Sequence, residues 1–277
     1  MTVSSAALEG RTVVVLGATG YLGRLLVPAL GAAGARVRAT ARRPEDLTGV
    51  PHAERTRVVA GDRHALATAV LGADVVCDLW PASLGAAPQV DEASTEARVV
   101  RVRCLPDGAP PDPHPGLVEL RASLVIGAGS PTFELLRRLA DRLPVLPLPR
   151  YAERSLQPIA AGDIISCLVA ACDGADDGRS YGLVGPDTLT VREMLSLVGA
   201  LLGRRPSRLA MPFDAPGAAS LVRRLVGTEA QAAQIALEAL EGDVLVEGGD
   251  VERLIGRPPT PFALAARAAL AAGRRLR

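Results

Sequence analysis

With 277 residues, 48% of them hydrophobic and 22% charged, the chain is long enough to bury a sizeable core. Its formal net charge of +1 gives no electrostatic case for a nucleic-acid partner, and no apolar run reaches the roughly 20 residues that cross a bilayer. All 31 basic residues are arginines, which excludes lysine as base, Schiff-base former or cofactor clamp.

Val13 to Leu16 are apolar without alternation, as in a strand buried on both faces of a parallel sheet. They lead into Gly17-Ala18-Thr19-Gly20-Tyr21-Leu22-Gly23. Gly17 permits a tight turn, Gly20 lets the backbone approach a pyrophosphate, and Gly23 lets the next helix, predicted over 21–33, pack on the strand. The free N–H groups and positive dipole end of that helix face the phosphates, so Thr19, Tyr21 and Leu22 join the three glycines as candidate cofactor contacts. Arg36 to Thr40 read as a second strand ending at Ala41-Arg42-Arg43-Pro44. An acid at this strand end would bind the ribose 2′-hydroxyl of NAD; Arg42 and Arg43 instead suit a 2′-phosphate, so NADP(H) is the expected cofactor and NAD the alternative.

Residues 57–62 read as a third strand with Asp62 at its polar end, followed by a helix over 64–72. Asp74 to Trp80 read as a fourth strand. Strands separated by helices of this length indicate a Rossmann-type α/β fold, a doubly wound parallel sheet, with ligands at the carboxyl ends of its strands. Asp62 and Leu79 then fall at the cofactor, and Trp80 in the substrate pocket. Any helix in 81–97, with its two prolines and acidic cluster Asp91, Glu92 and Glu96, is short. From Val100 to Cys104 arginine alternates with apolar residues, which a parallel strand covered on both faces should not do; one face is expected to be wet or to line a charged pocket.

Pro106, Pro110, Pro111, Pro113 and Pro115 prevent a helix before the next apolar run, Leu117 to Ile126. A polyproline-like connection still allows that run to enter the sheet in parallel. A helix from Pro131 to Arg142, a proline-rich loop over 144–149, Gln157-Pro158-Ile159 and a helix over 161–171 follow. Tyr181 to Val184 form another strand, Thr190 caps a helix carrying Glu193 and Met194, and helices near 227–241 and 262–276 close the chain. The division expected is a dinucleotide-binding core over 1–130, and the remaining core elements with a small C-terminal substrate lobe over 131–277, the two forming one integrated unit. Cys77, Cys104, Cys167 and Cys172 show neither CxxC nor metal-ligand spacing, which predicts buried, reduced thiols, no metal site and a cytoplasmic location.

With the glycine turn, the Arg42-Arg43-Pro44 strand end and Gly61-Asp62 in place, the chain resembles the atypical short-chain dehydrogenase/reductases, the NmrA-like and extended epimerase-like NAD(P)-binding group. Leu120 to Ser130, Gln157 to Ala160 with Asp163, and Gly185-Pro186-Asp187 through Thr190 to Met194 carry the likeness over about 200 residues, in the family's order. The resemblance implies an extended fold whose C-terminal lobe shapes the substrate pocket. Typical reductases of this superfamily use a Tyr-x-x-x-Lys pair on the helix between the fifth and sixth strands. That pair cannot exist here, because lysine is absent and the only tyrosines are Tyr21, Tyr151 and Tyr181.

Three readings follow. The first is an NADP(H)-dependent reductase of a small or natural-product-like substrate, with Arg103 stabilising an oxyanion and Tyr151, His114 or Asp78 giving the proton. The second is a redox-neutral cyclase, dehydratase or isomerase in a biosynthetic pathway, with a vestigial cofactor and acids drawn from Asp78, Cys104 or Arg103. The third is an NmrA-like nucleotide-sensing regulator. Gln157 joins Trp80 as a substrate-pocket candidate; the expected partner is a small molecule, with no nucleic acid and no membrane, and the oligomeric state is not legible.

Overall fold

The computed structural model describes residues 7–48, 53–59, 62–80, 96–104, 115–122, 124–142, 145–148, 153–174, 178–204, 207–210 and 249–275. In chain order these form β1 (Thr12–Leu16), α1 (Tyr21–Ala32), β2 (Arg36–Ala41), β3 (Ala53–Arg57), α2 (Arg63–Val70) and β4 (Val75–Asp78). Then come β5 (Arg98–Cys104), β6 (Leu117–Ala122), β7 (Val125–Ile126), α3 (Pro131–Arg142), β8 (Val145–Leu148), β9 (Ser155–Leu156) and β10 (Ile159–Ala160). They are followed by α4 (Ala161–Gly174), β11 (Arg179–Leu183), β12 (Leu189–Thr190), α5 (Val191–Leu201), β13 (Ser207–Ala210), α6 (Asp250–Ile255) and α7 (Phe262–Arg275).

Seven strands make the central sheet in the order β3-β2-β1-β4-β5-β6-β11. Every pair in it is parallel, so the Rossmann-type doubly wound expectation holds. The order reverses between β1 and β4, the point at which such sheets open a crevice for ligands. β6 enters in parallel beside β5, as the proline-rich connection after Cys104 allows.

The two faces of the sheet differ. On one, Val13, Val15, Val37, Ala39, Cys77, Val100, Val102, Val118, Leu120, Tyr181 and Leu183 form a continuous apolar layer beneath α1 and α4. On the other, Val14, Leu16, Val76, Val99 and Leu117 pack with Leu66, Ala69 and Val70 of α2. That second layer stays apolar only part of the way across. Strand alternation puts Asp78 of β4, Arg101 and Arg103 of β5, and Glu119 and Arg121 of β6 on the same face as Val76, Val99 and Leu117.

A smaller core joins α3, α5 and α7 through Phe133, Leu136, Met194, Val198, Phe262 and Ala266. Three carboxylates, one of them buried, tie this lobe to the sheet. Asp163, 1% exposed, accepts from the Thr260 backbone N–H at 2.6 Å and pairs with Arg257 at 2.6 Å. Asp187 accepts from Phe262 N–H at 2.6 Å, and Asp250 from Gly182 N–H at 2.8 Å. At Gly185 a Cβ would lie 2.0 Å from the Pro158 carbonyl oxygen, so two of the stretches that carry the family likeness touch where only glycine fits. Thr190 and Glu193 form the expected cap of α5 as a reciprocal capping box.

Three expectations need correction. The third strand is Ala53–Arg57, not 57–62, because this edge strand is half-exposed and polar and carries no apolar period to read. The stretch expected as a proline-rich loop contains β8, which pairs in parallel with β13, a strand with no counterpart in the sequence reading; Pro147 stands opposite Leu209 in a two-stranded ribbon whose outer edges tolerate a residue without an N–H. The short helix α6 is likewise additional to the expected elements. The expected helix near 227–241 and the segment 81–95 lie outside the described residues. Cys77, Cys167 and Cys172 are buried free thiols, as expected. The Cys77 and Cys172 sulfurs are 3.3 Å apart, and that contact, with burial, holds the Cys77 thiol well above its ordinary range. Burial pushes Cys167 up to about 12, with Asp163 adding to the effect and Arg257 opposing it.

Candidate functional site

The first half of the site is the β1–α1 turn. Gly17 has φ +78°, and a Cβ there would sit 3.0 Å from the Leu79 carbonyl oxygen, so glycine brings the end of β4 against the turn. Gly20 closes the turn with an N–H to the Gly17 carbonyl at 3.0 Å. A Cβ on Gly23 would be 2.4 Å from Gly17 O and 2.6 Å from Ala18 Cα, so helix and turn approach as the spacing predicts. The N-terminus of α1 has no side-chain cap and no acid in its first turn. Its backbone N–H groups are therefore suited to a pyrophosphate. Thr19 contributes its carbonyl, which accepts from Arg24 Nε at 2.9 Å.

Tyr21 is placed differently from a simple cofactor contact. A Cβ on Gly127 would lie 2.2 Å from the Tyr21 hydroxyl oxygen, so this ring packs over the Gly127-Ala128-Gly129 loop after β7. Burial, with a smaller contribution from Glu134, pushes its hydroxyl up to about 12, which keeps it protonated. Tyr21 thus links the turn to the lobe, and its backbone remains in the helix N-terminus. Leu22 is half-buried against the apolar layer.

Arg42 and Arg43 follow the carboxyl end of β2, both exposed. Arg43 makes a 3.3 Å ion pair with Asp46, its side chain 72% exposed. Asp62 plays a structural part, since its carboxylate caps α2 by accepting from Ala65 N–H at 2.9 Å.

The second half of the site is the charged part of the sheet face. Asp78, Arg101, Arg103, Glu119 and Arg121 occupy three adjacent strands. Asp78, 1% exposed, pairs through Oδ2 with Arg101 Nε at 3.0 Å and accepts through Oδ1 from Trp80 N–H at 3.1 Å. Both carboxylate oxygens are engaged, and an ion-paired carboxylate accepts hydrogen bonds and donates none. Arg103 lies 2.6 Å from Glu119, which is 1% exposed; the N–H does not point along the contact, so Coulomb attraction holds the pair more than a linear hydrogen bond. The other Glu119 oxygen accepts from Ser180 Oγ at 3.2 Å.

The alternating arginines of β5 thus line a charged face, as their period implies, but the carboxylate Glu119 that partners Arg103 is missing from the residues singled out by sequence. Glu119 sits in Leu117-Val118-Glu119-Leu120-Arg121-Ala122, an apolar strand interrupted at period two on the same face as Arg101 and Arg103. That shared period is the available signal. Cys104 ends β5, and its side chain lies outside the described residues, as do Tyr151 and His114. Gln157 is half-buried between β9 and β10, and Trp80 is half-buried just past β4.

A protein-family profile described as NAD(P)H-binding matches residues 17–102, from the glycine turn to β5. This segment is therefore similar to NAD(P)H-binding domains. Similarity to individual proteins reaches further along the chain. A (4-alkanoyl-5-oxo-2,5-dihydrofuran-3-yl)methyl phosphate reductase of Streptomyces griseus is 28% identical over 273 residues, covering 90% of this chain and 95% of that protein. The alpha subcomplex subunit 9 of mitochondrial NADH dehydrogenase from Arabidopsis thaliana is 25% identical over 122 residues, 43% of this chain and only 30% of that protein. Among solved structures, a nucleoside-diphosphate-sugar epimerase from Pseudomonas aeruginosa superposes with a TM-score of 0.68 at 19% identity, covering 97% of this chain and 99% of that one. The Bordetella bronchiseptica enzyme WbmH in complex with NAD+ superposes with a TM-score of 0.65 at 14% identity, covering 95% and 98%. At that identity the structures establish the fold, and the family profile marks the N-terminal segment as similar to NAD(P)H-binding domains. Among the described residues no helix is long and apolar enough to cross a membrane.

Proposed function

We propose that this chain is an NADP(H)-dependent reductase of a small alkene polarised by neighbouring carbonyl groups. The observation that carries the reading is the uncapped α1 N-terminus behind Gly17, Gly20 and Gly23, in a chain related over most of its length to a reductase. The backbone of residues 19–23 would hold the pyrophosphate. Arg42, exposed at the end of β2, would pair with the 2′-phosphate, with Arg43 joining it from its exposed pair with Asp46. When bound, the nicotinamide supplies a hydride; the chain's residues supply position and electrostatics.

The missing lysine has a chemical counterpart in this substrate class. The compound in the name of the Streptomyces griseus reductase carries its ring double bond next to both a lactone carbonyl and an alkanoyl group. Hydride addition to such a bond leaves an enolate spread over two carbonyl oxygens, and water protonates it. A Tyr-x-x-x-Lys relay is therefore dispensable, which accords with a chain without lysine. This chemistry requires no side-chain acid on the charged face, where Asp78 holds Arg101 and Arg103 holds Glu119.

Following absorbance at 340 nm while a 2-acyl butenolide methyl phosphate is added tests the reading. One NADPH consumed per double bond reduced is expected. Conversion of the compound in dialysed, cofactor-free protein would instead support redox-neutral chemistry.

A further inference from the structure

Asp78 ends β4, is 1% exposed, and turns its two oxygens to different parts of the molecule. Oδ2 accepts at 3.0 Å from Nε of Arg101, its register partner on β5. Oδ1 accepts from the Trp80 backbone N–H at 3.1 Å. An Asp side chain that bonds its own backbone two residues on closes a local turn. Asp78 therefore bends the chain where β4 ends, while the charge-assisted bond from Arg101 holds the carboxylate in the orientation that does so.

The bend lies at the dinucleotide crevice. The sheet order reverses between β1 and β4, and in this fold a dinucleotide lies across the carboxyl ends of those two strands. On the β1 side the crevice is bounded by the turn from Gly17 to Gly20. On the β4 side it is bounded by Leu79 and Trp80. The Leu79 N–H reaches the Leu16 carbonyl at 3.2 Å, and the Leu79 carbonyl oxygen comes so near the turn that a Cβ on Gly17 would be 3.0 Å from it. That carbonyl and the Trp80 N–H belong to one planar peptide group, so they cannot rotate independently. By holding the N–H, Asp78 orients the carbonyl that abuts the glycine turn.

We propose that Asp78 is a positioning residue for the dinucleotide: through the Trp80 N–H it sets the Leu79-Trp80 peptide against the glycine turn, and Arg101 keeps its carboxylate in place. The proposal rests on the dinucleotide cradle of the reductase reading and joins the charged face of β5 to that cradle. The test compares two double variants of the full chain. Asp78→Asn with Arg101→Met removes the ion pair and keeps an acceptor for the Trp80 N–H; Asp78→Leu with Arg101→Met removes both. Neither strands a buried charge, both lose every other contact of Arg101, and thermal melts check that both fold. Calorimetry with NADP+ should give the Asn variant a dissociation constant within about twofold of the native chain and the Leu variant one about tenfold weaker, the loss of one hydrogen bond. Trp80 is the only tryptophan, so its emission reports the bend directly; it should stay native in the Asn variant and shift in the Leu variant. Equal NADP+ affinity in the two variants, or an unshifted Trp80 emission in the Leu variant, would overturn the role of Asp78. Absence of NADP+ and NAD+ binding by the native chain would instead overturn the dinucleotide reading beneath it.

Discussion

The two halves of the central sheet solve different problems with the same backbone. Around β1, β2 and β4 both faces are largely apolar, glycines set the close approaches at the turn, and the start of α1 offers its backbone N–H groups without a side-chain cap. Across β5 and β6 one face carries arginines and carboxylates in buried or half-buried pairs. The first half carries the glycine turn and open helix start proposed to hold a dinucleotide.

Substitutions in each half should fail in different ways. Glu119→Ala leaves Arg103 beside an empty buried site and should cost about 3–5 kcal/mol in chemical denaturation, whereas replacing both partners, Glu119→Leu with Arg103→Met, should be near neutral in stability. If the two variants were equally destabilised, the charged face would be held by packing, not by charge. In the apolar half, Gly23→Ala forces a Cβ into backbone at 2.4 Å, which should cost about 1–3 kcal/mol and abolish dinucleotide binding by calorimetry. Arg42→Asp should weaken NADPH about tenfold while leaving NADH within a factor of about two, measured as dissociation constants. Equal effects on both cofactors would remove Arg42 from the 2′-phosphate.

The smallest expected change lies outside both halves. Thr190→Ala removes the cap of α5 and should cost about 1 kcal/mol by thermal melt. Its pH dependence is a separate readout. The Thr190 backbone N–H, then its hydroxyl, holds the Glu193 carboxyl below its usual range. The contribution is therefore present above the unfolded carboxylate range and fades as pH falls through the lowered folded value. Thr190→Ala should reduce that acid-side loss only in part, because the Thr190 backbone N–H, the larger cause, survives the substitution.

The apolar half is legible in the sequence because its signals are local. Val13 to Leu16, the three glycines and the helix after them lie in one continuous stretch, and each has one physical meaning. The charged half is legible only in outline. The period-two arginines of β5 announce an unusual face, but Glu119 and Asp78 become their partners through strand register, which no local pattern encodes. The edge strand β3 escapes a sequence reading for a related reason: its polar residues pair through backbone, and the apolar Val58-Val59 beyond it gives the stronger signal. The marker residues Asp163, Gly185 and Asp187 hold the lobe on the sheet, which the sequence likeness alone does not distinguish from a role at the substrate.

An intact dinucleotide cradle working beside a rebuilt, charged substrate face as a reductase has a direct kinetic signature. NADPH absorbance at 340 nm and substrate double-bond content can be followed together in one run, with a 2-acyl butenolide methyl phosphate as acceptor. Equimolar loss of both is expected, with NADH a poorer donor than NADPH. Loss of the double bond with no loss of NADPH, or no reaction with a cofactor that binds, would contradict the reductase.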